Sequence, residues 1–363
     1  MQDFDLDRLL KFAVEKKASD VHIRCGRPPL LRLGGGLSPL KMDTVESETL
    51  DRLAASIMNP YQQSLFEERL AVDLGYTPRG IDSRFRVSVY RQRGTTAIIL
   101  RAIPASLPTI GSLGLPQTFK VFTKRPQGLV LVTGPTGSGK STTLAALINE
   151  INFSQTLHII TIEDPIEFIF DDNHASISQL EIGVDALTFA NALRHALRQD
   201  PDIIMVGEMR DPETIATAIT AAETGHLIFS TLHTNSASQS INRIIDTFPP
   251  NQHDQVRLQL SQALLGVVSQ RLVNRGDTEG RIAAVEIMIN SPAIRELIRK
   301  GEIKQIPDII GRSVDYYRMQ TMDQSLLALI ANKVISIKEG LRASQQPDEL
   351  QLRITKMGFD AEL

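Results

Sequence analysis

The sequence has 363 residues, a formal net charge of −3, 42% hydrophobic residues and 22% charged residues. This length suits two domains, and the composition excludes a disordered chain. The small net charge excludes a global basic field for nucleic acid, and the absence of Trp argues against aromatic platforms for single strands. The single cysteine, Cys25, excludes an internal disulfide and a Cys-rich zinc site.

The first hundred residues predict a small mixed α/β domain, which we place at residues 1–103. Apolar residues at helical spacing predict two amphipathic helices, and short apolar pieces between turn residues predict strands. From Arg84 onward, strict alternation of apolar and polar residues predicts a longer strand that turns at Arg93-Gly94 into a second one. In chain order the pieces are a helix at 4–17, strands at 20–23 and 30–33, a helix at 46–58, and strands from 84 and at 97–103.

The remainder of the chain predicts a second, larger domain. Residues 104–116 contain three prolines and two glycines, and we interpret them as a linker. Residues 117–363 then alternate buried strands with helical patterns, which is typical of a mostly parallel sheet covered by helices. The strands are predicted at 128–133, 158–162, 203–206 and 227–231. From about residue 250 the pattern is mainly helical.

The strongest motif is a phosphate-binding loop that follows the first of these strands and precedes a helix. It fits G-x-x-x-x-G-K-[ST], in which glycines let backbone N–H groups approach phosphates at a helix N-terminus. Lys140 is expected to reach the β and γ phosphates, and the Ser141 hydroxyl to ligate Mg²⁺. The predicted nucleotide-binding residues are Gly134, Pro135, Thr136, Gly137, Ser138, Gly139, Lys140, Ser141 and Thr142.

Two acidic residues follow strands that end at the same predicted edge of the sheet. Glu208 comes just after the strand at 203–206, where it is placed to polarise an attacking water. Gly207 occupies the position of the usual Walker B aspartate, and the alternative role for Glu208 is a structural pair with Arg210. Glu163 follows the strand at 158–162 and is placed to contact Mg²⁺ or its water.

Histidines and arginines are further candidates with open alternatives. His226 and His233 flank the strand at 227–231, and each is either structural or in contact with a γ-phosphate or a neighbouring subunit. Five arginines lie between residues 84 and 101. In one interpretation they form a solvated face of the strand. In the other, one or two of them stabilise phosphoryl charge as an arginine finger, in the same chain or in another subunit.

Four motifs in this order make the chain resemble the secretion and pilus ATPases, and among them the PilT-type pilus retraction family. They are the loop at 134–142, an acidic segment at 162–168, a Walker-B-like segment at 200–210 and a His segment at 224–235. The resemblance implies a PAS-like N-terminal domain, a RecA-like P-loop ATPase core and a helical C-terminal region. It also implies a homo-hexameric ring with ATP and Mg²⁺ as cofactors.

The resemblance also implies roles for single residues. Glu208 would be the catalytic glutamate, Glu163 an assisting acid, and His226 a residue of the His segment. Arg86 and Arg101 match the arginines that reach toward the nucleotide. No signal-peptide pattern is present, and no apolar run reaches the roughly 18 residues of a membrane span, which predicts a cytoplasmic protein.

The resemblance implies that hydrolysis drives pilus retraction at the inner face of the cytoplasmic membrane by pushing on an inner-membrane platform protein. A lone Cys25 disfavours the pilus assembly and type II secretion ATPases, which carry a four-cysteine motif. Glu296 replaces the asparagine of the family's retraction signature at 293–299, and residues 344–352 are similar to the accessory PilU-type paralogue, itself a candidate partner. A nucleotide-dependent regulatory scaffold is the non-motor alternative, and no nucleic-acid partner is expected.

Overall fold

The computed structural model describes residues 4–81, 83–103 and 106–358, and the chain divides into two compact units. The first unit comprises Met1–Leu107, Ile162–Asp171 and Gln179–Thr188. The second comprises Pro108–Thr161, Asp172–Ser178 and Phe189–Leu363. The two later segments of the first unit were not anticipated from the sequence. Residues 104 and 105 of the predicted linker lie outside the described residues, whereas Ile110 and Leu115 of that linker are buried.

The first unit contains an antiparallel sheet with helices packed against it. Its helices are α1 (Leu6–Glu15), α2 (Ser47–Ile57) and α3 (Pro60–Arg69). Its strands are β1 (Asp20–Arg24), β2 (Leu30–Leu33), β3 (Gly36–Pro39), β4 (Ala71–Tyr76), β5 (Arg84–Gln92) and β6 (Thr95–Ile103). Within the described residues these strands form one sheet in the order β3-β2-β1-β6-β5-β4.

The predicted alternation along β5 is confirmed, because Phe85, Val87 and Val89 are fully buried in the core of the first unit. Three elements were not predicted: α3, β3 and β4. Helix α3 has little apolar periodicity, but Asn59 and Gln62 form a reciprocal capping box at its start. That pair of residues is the local signal that predicts such a helix.

The second unit is built on a larger sheet with helices. Its elements up to residue 263, of which β8 and β9 end in segments of the first unit, are α4 (Phe119–Thr123), β7 (Gly128–Thr133), α5 (Lys140–Asn152), β8 (His158–Glu163), β9 (Ser176–Glu181), α6 (Phe189–Ala196), β10 (Ile203–Val206), α7 (Pro212–Glu223), β11 (Leu227–Leu232), α8 (Ala237–Asp246) and α9 (His253–Ala263). The later elements are β12 (Leu264–Asn274), β13 (Arg281–Ile289), α10 (Pro292–Lys300), α11 (Ile306–Arg312), α12 (Val314–Tyr317), α13 (Met322–Ala331), α14 (Ile337–Ala343) and α15 (Pro347–Lys356). Among the described strands, the sheet order is β13-β12-β7-β11-β10-β8-β9.

The centre of this sheet is parallel, as predicted. Strands β12, β7, β11 and β10 are neighbours, and all three of their pairings are parallel. Every residue of β7 and of β11 is buried. Strands buried on both faces are expected to be continuous apolar runs, and this is why the sequence predicted them correctly. Their carboxyl ends share one edge of the sheet.

The prediction of a mainly helical chain from residue 250 is wrong for residues 264–289, which form β12 and β13. Strand β12 pairs in parallel with β7, and β13 pairs antiparallel with β12 at the edge. The polar pair Ser269-Gln270 interrupts the apolar run of β12, so the sequence lacks the continuous apolar pattern that predicts a buried strand. Helices α10 to α15 follow, and apolar residues of α13, α14 and α15 pack on the hairpin around Val273 and Ala284. No helix in the described part of the chain has the length and apolarity of a membrane span.

Candidate active site

The loop between β7 and α5 carries the predicted phosphate-binding residues. Helix α5 begins at Lys140, directly after Gly139, whose φ is +89°, and Gly134 has a φ of +146°. Both are backbone conformations that favour glycine. A Cβ atom at Gly134 would lie 2.3 Å from the backbone oxygen of Gln270, so the loop also packs too closely for a side chain there. The two glycines therefore let the chain fold back tightly and enter α5 with its first amide groups exposed at the helix start.

Lys140 and Ser141 stand at the first turn of α5. The Lys140 side chain is buried, and its Nζ atom donates hydrogen bonds to the carbonyl oxygens of Gly134 (2.9 Å) and Pro135 (3.0 Å). The ammonium group therefore lies against the start of the phosphate-binding loop. Ser141 is exposed, so its hydroxyl is accessible at the same turn.

Strand β12 braces the loop through residues that the sequence analysis did not select. The Thr133 and Ser269 hydroxyls are 2.9 Å apart, and the Gln270 side-chain amide donates to the Ser138 carbonyl oxygen (2.7 Å). The Thr143 hydroxyl of α5 in turn donates to the side-chain Oε1 atom of Gln270 (2.8 Å). The signal that could have identified these residues is the polar pair Ser269-Gln270 inside an otherwise apolar strand.

Glu208 lies just beyond the carboxyl end of β10, with 21% of its side chain exposed. Its Oε2 atom is 2.8 Å from a terminal nitrogen of Arg210 and 3.6 Å from Nε2 of His233. The Thr231 hydroxyl donates to the Gly207 carbonyl oxygen (2.6 Å), so β11 holds the turn that carries Glu208. Because β7, β11 and β10 are adjacent and parallel, the phosphate loop, His233 and Glu208 come together at one edge.

The structure separates His226 from this edge. It precedes β11, and its carbonyl oxygen accepts the N–H of Gly128 at the start of β7. Six strand residues separate it from His233, which corresponds to about 20 Å along the strand. Its Nδ1 atom lies 3.2 Å from the Ala221 carbonyl oxygen. His233 therefore lies at the end of β11 that meets the phosphate loop, because the direction of β11 decides which flanking residue is near it, and the role of His226 stays a prediction.

Glu163 is the last residue of β8 and is buried. Its Oε2 atom accepts the N–H of Glu167 (3.4 Å), and its Oε1 atom accepts the side-chain amide of Gln179 (3.4 Å). Glu163, Glu167 and Gln179 all belong to segments of the first unit. These contacts fix the carboxylate at the end of its strand, and its role toward Mg²⁺ stays a prediction.

Arg86 and Arg101 are directly opposite each other on β5 and β6, so both lie on one face of the first sheet. Like charges in this register are unfavourable unless they are compensated. Arg86 lies 3.5 Å from a carboxylate oxygen of Glu167 and 3.7 Å from one of Asp73, and Arg101 lies 2.9 Å from Asp20. Burial opposes ionisation of Asp20, but hydrogen bonds from Arg101 and a neighbouring serine bring its pKa below the ordinary value. Arg101 itself remains 70% exposed.

Arg84, which the sequence analysis left among the five arginines without a role, is the one most deeply engaged. Its Nε atom donates to the Ile166 carbonyl oxygen (3.0 Å), and its terminal nitrogen forms an ion pair with Glu181. The same Glu181 carboxylate accepts the N–H of Ile166 (3.1 Å). The side chains are only 17% and 6% exposed, so Arg84 fastens the acidic segment around Ile166 to β5.

We expect Arg84→Gln to destabilise the protein by about 3–5 kcal/mol, because it leaves the Glu181 carboxylate buried without its counter-ion. Denaturant unfolding of the full chain measures this. The control is Arg86→Gln on the same strand, whose longer and more exposed ion pairs predict a loss of no more than about 1 kcal/mol. Equal losses in the two variants would contradict the assignment of a buried clamp to Arg84.

The residues at the loop suit a magnesium ion that arrives with a nucleotide. Mg²⁺ prefers oxygen ligands and commonly combines one or two protein groups with phosphate oxygens and water. The exposed Ser141 hydroxyl supplies one such oxygen, and phosphate oxygens and water can supply the others. The described residues contain no group of three His, Cys, Asp or Glu that could hold a metal by itself. The donor set therefore fits a metal shared with phosphate.

Known proteins resemble the chain over nearly its whole length. A family described as "Type II/IV secretion system protein" matches residues 3–342. The chain is 44% identical to the type IV pilus retractation ATPase PilT of Pseudomonas aeruginosa over 346 residues, which covers 95% of the chain and 99% of that protein. It is 39% identical to the type IV pilus ATPase PilU of the same organism over 358 residues, covering 99% and 93%. The crystal structure of the pilus retraction motor PilT with bound ADP matches with a TM-score of 0.88 and 44% identity, covering 96% of this chain and 99% of that one.

Proposed function

The chain belongs to the type II/IV secretion system protein family and is an ATP hydrolase, and we propose that it works as a hexameric, Mg²⁺-dependent motor of pilus retraction. The prediction of a pilus retraction ATPase with an N-terminal α/β domain, a P-loop core and a helical C-terminal region is confirmed by these relatives. The observation that carries the mechanism is the position of Glu208 on the same sheet edge as the phosphate loop.

We propose the following division of labour for hydrolysis. Lys140 and the amide groups at the start of α5 bind the phosphates, and Ser141 contributes its hydroxyl to Mg²⁺. When bound, Mg²⁺ would be held by the Ser141 hydroxyl and would supply positive charge that offsets the charge of the phosphates. Glu208 orients the attacking water and accepts its proton. Arg210 and His233 both contact the Glu208 carboxylate at Oε2.

Arg86, Arg101 and Glu163 are proposed to assist, as the family resemblance implies. Arg86 and Arg101 would compensate negative charge on the transferred phosphate, and Glu163 would contact Mg²⁺ through water. The shared face of the two arginines and the 70% exposure of Arg101 support this proposal. Acidic partners hold both guanidinium groups, so a phosphate would compete with a carboxylate for each of them.

The partners that we propose are further copies of the chain and an inner-membrane platform protein, at the inner face of the cytoplasmic membrane. A paralogous retraction ATPase is a further candidate partner, and we expect no nucleic acid. The similarity to PilU over 99% of the chain supports a second candidate function, that of an accessory retraction ATPase. The single cysteine disfavours an assembly ATPase.

The test of retraction is made in cells that carry the gene. The gene is deleted and restored either as wild type or as Glu208→Ala, and surface pili and surface movement are counted. We expect abundant pili without movement in the deletion and in Glu208→Ala cells. Absence of pili would indicate assembly instead. Normal pili with normal movement would overturn the role of main motor and favour the accessory one.

A further inference from the structure

Gln270 contacts the phosphate loop from β12 although it belongs to none of the motifs. We propose that Gln270 is a positioning residue for nucleotide binding, which sets the direction of the Gly139 backbone N–H through its hydrogen bond to the Ser138 carbonyl oxygen. The proposal rests on the ATPase activity of the chain and is independent of the direction in which pili move.

The orientation of the Gln270 side chain is determined by its two partners. The Ser138 carbonyl oxygen accepts hydrogen bonds only, so the atom 2.7 Å from it must be the NH₂ group of the side-chain amide. The other atom, the carbonyl oxygen, then faces the Thr143 hydroxyl at 2.8 Å, which donates to it. Gln270 and Thr143 are both buried, so neither contact has solvent as a ready substitute.

The hydrogen bond to Ser138 has a consequence for the next amide group. A trans peptide is planar, and its C=O and N–H groups point in opposite directions. Because the Ser138 carbonyl points toward Gln270, the N–H of Gly139 points away from β12. Gly139 is the residue that caps the start of α5, where backbone N–H groups bind phosphate oxygens in loops of this type. Gln270 therefore selects the peptide orientation that makes this N–H available.

The glycines of the loop fit this brace closely. A Cβ atom at Gly139 would lie 2.8 Å from the Gln270 side-chain nitrogen, and one at Gly134 would lie 2.3 Å from the Gln270 backbone oxygen. Both glycines of the motif thus make room for the same residue of β12. Thr133 of β7 and Ser269 of β12 are paired in register, and their hydroxyls are in contact. This pairing fixes the position of Gln270 along β12 relative to the loop.

The test measures ADP binding and steady-state ATP hydrolysis with the purified full chain. We expect Gln270→Ala to raise the Kd for ADP and the KM for ATP by about tenfold to hundredfold, the value of one hydrogen bond to a charged group. We expect kcat to change less than about threefold, because the brace affects binding and not the water that Glu208 orients. Gln270→Glu keeps the shape but sets a carboxylate oxygen against the Ser138 carbonyl, so it should weaken binding at least as much.

The control is Gln62→Ala, which removes another buried glutamine, one that caps α3 in the first unit. It should lower stability and leave the Kd for ADP within twofold of wild type. A folded Gln270→Ala protein with wild-type Kd and KM would overturn the proposal, and so would equal effects on binding in the two variants.

If Gln270→Ala does not fold, Thr143→Val tests the proposal instead, since it removes only the hydroxyl that orients Gln270. We expect it to raise the Kd in the same direction, and an unchanged Kd would also overturn the proposal.

Discussion

Replacing Glu208 with glutamine is expected to preserve nucleotide binding and to reduce ATP hydrolysis by about a hundredfold to ten-thousandfold, the contribution of a positioned general base. The amide keeps the size of the carboxylate and its place at the end of β10. It cannot accept the proton of the attacking water, which is why kcat and not binding should fall. Release of inorganic phosphate measures kcat, and ADP titration measures binding.

Arg210→Gln is the matched control for this experiment. Arg210 forms its ion pair with the same Oε2 atom of Glu208, but its side chain is 72% exposed, so the pair is largely screened by solvent. We expect this variant to keep kcat within about a factor of five of wild type, since a surface ion pair is worth about 1 kcal/mol or less. Hydrolysis at the wild-type rate in Glu208→Gln would remove Glu208 from the catalytic role.

Lys140→Ala is expected to weaken ADP and ATP binding by at least about a hundredfold, because hydrogen bonds between charged groups contribute about 1.5–3 kcal/mol each. The structure adds a second reason for a large effect. The Lys140 ammonium also joins the carbonyl oxygens of Gly134 and Pro135, so its removal loosens the start of the loop. Calorimetric titration with ADP measures the loss.

Lys120→Ala provides the comparison for Lys140→Ala. Lys120 lies in the same unit and pairs with Glu150 at 2.8 Å on an accessible surface. Its removal tests whether the loss of any positive charge from this unit weakens the binding of an anionic nucleotide. We expect the Kd for ADP to stay within about twofold of wild type, since exposed charges are screened over about 10 Å of salt solution. A Lys140→Ala protein that binds as tightly as Lys120→Ala would contradict the assigned role.

The sequence predicted the parts of the site that depend on local spacing. The loop from Gly134 to Thr142 and the acid Glu208 were identified because each follows an apolar strand by one or two residues, and the strands were confirmed. Local spacing could not decide between His226 and His233, and the role of His226 stays a prediction. Both flank the same strand, and only the parallel arrangement of β7, β10 and β11 tells which end of that strand meets the loop.

Local sequence patterns could not predict contacts between residues that are far apart in the sequence. Gln270 contacts Ser138 across 132 positions of the sequence, and Arg84 contacts Ile166 across 82 and Glu181 across 97. No periodicity or motif links such pairs, because the fold alone brings them together. The strands β12 and β13 were missed for a related reason. The polar residues Ser269 and Gln270 interrupt the apolar pattern of β12, and the same two residues contact the phosphate loop and its preceding strand.

The path of the chain between the two compact units constrains where the sequence can be lengthened or shortened. At junctions that the structure describes, the chain passes from one unit to the other five times, after Leu107, Thr161, Asp171, Ser178 and Thr188. A single hinge could be lengthened or shortened without cost to the rest. Two of the five junctions lie inside strands, after Thr161 in β8 and after Ser178 in β9, so an insertion at either would interrupt a strand of the second sheet. Shortening the chain from its beginning would likewise leave the segments around Ile166 and Glu181 without the sheet that they pack on.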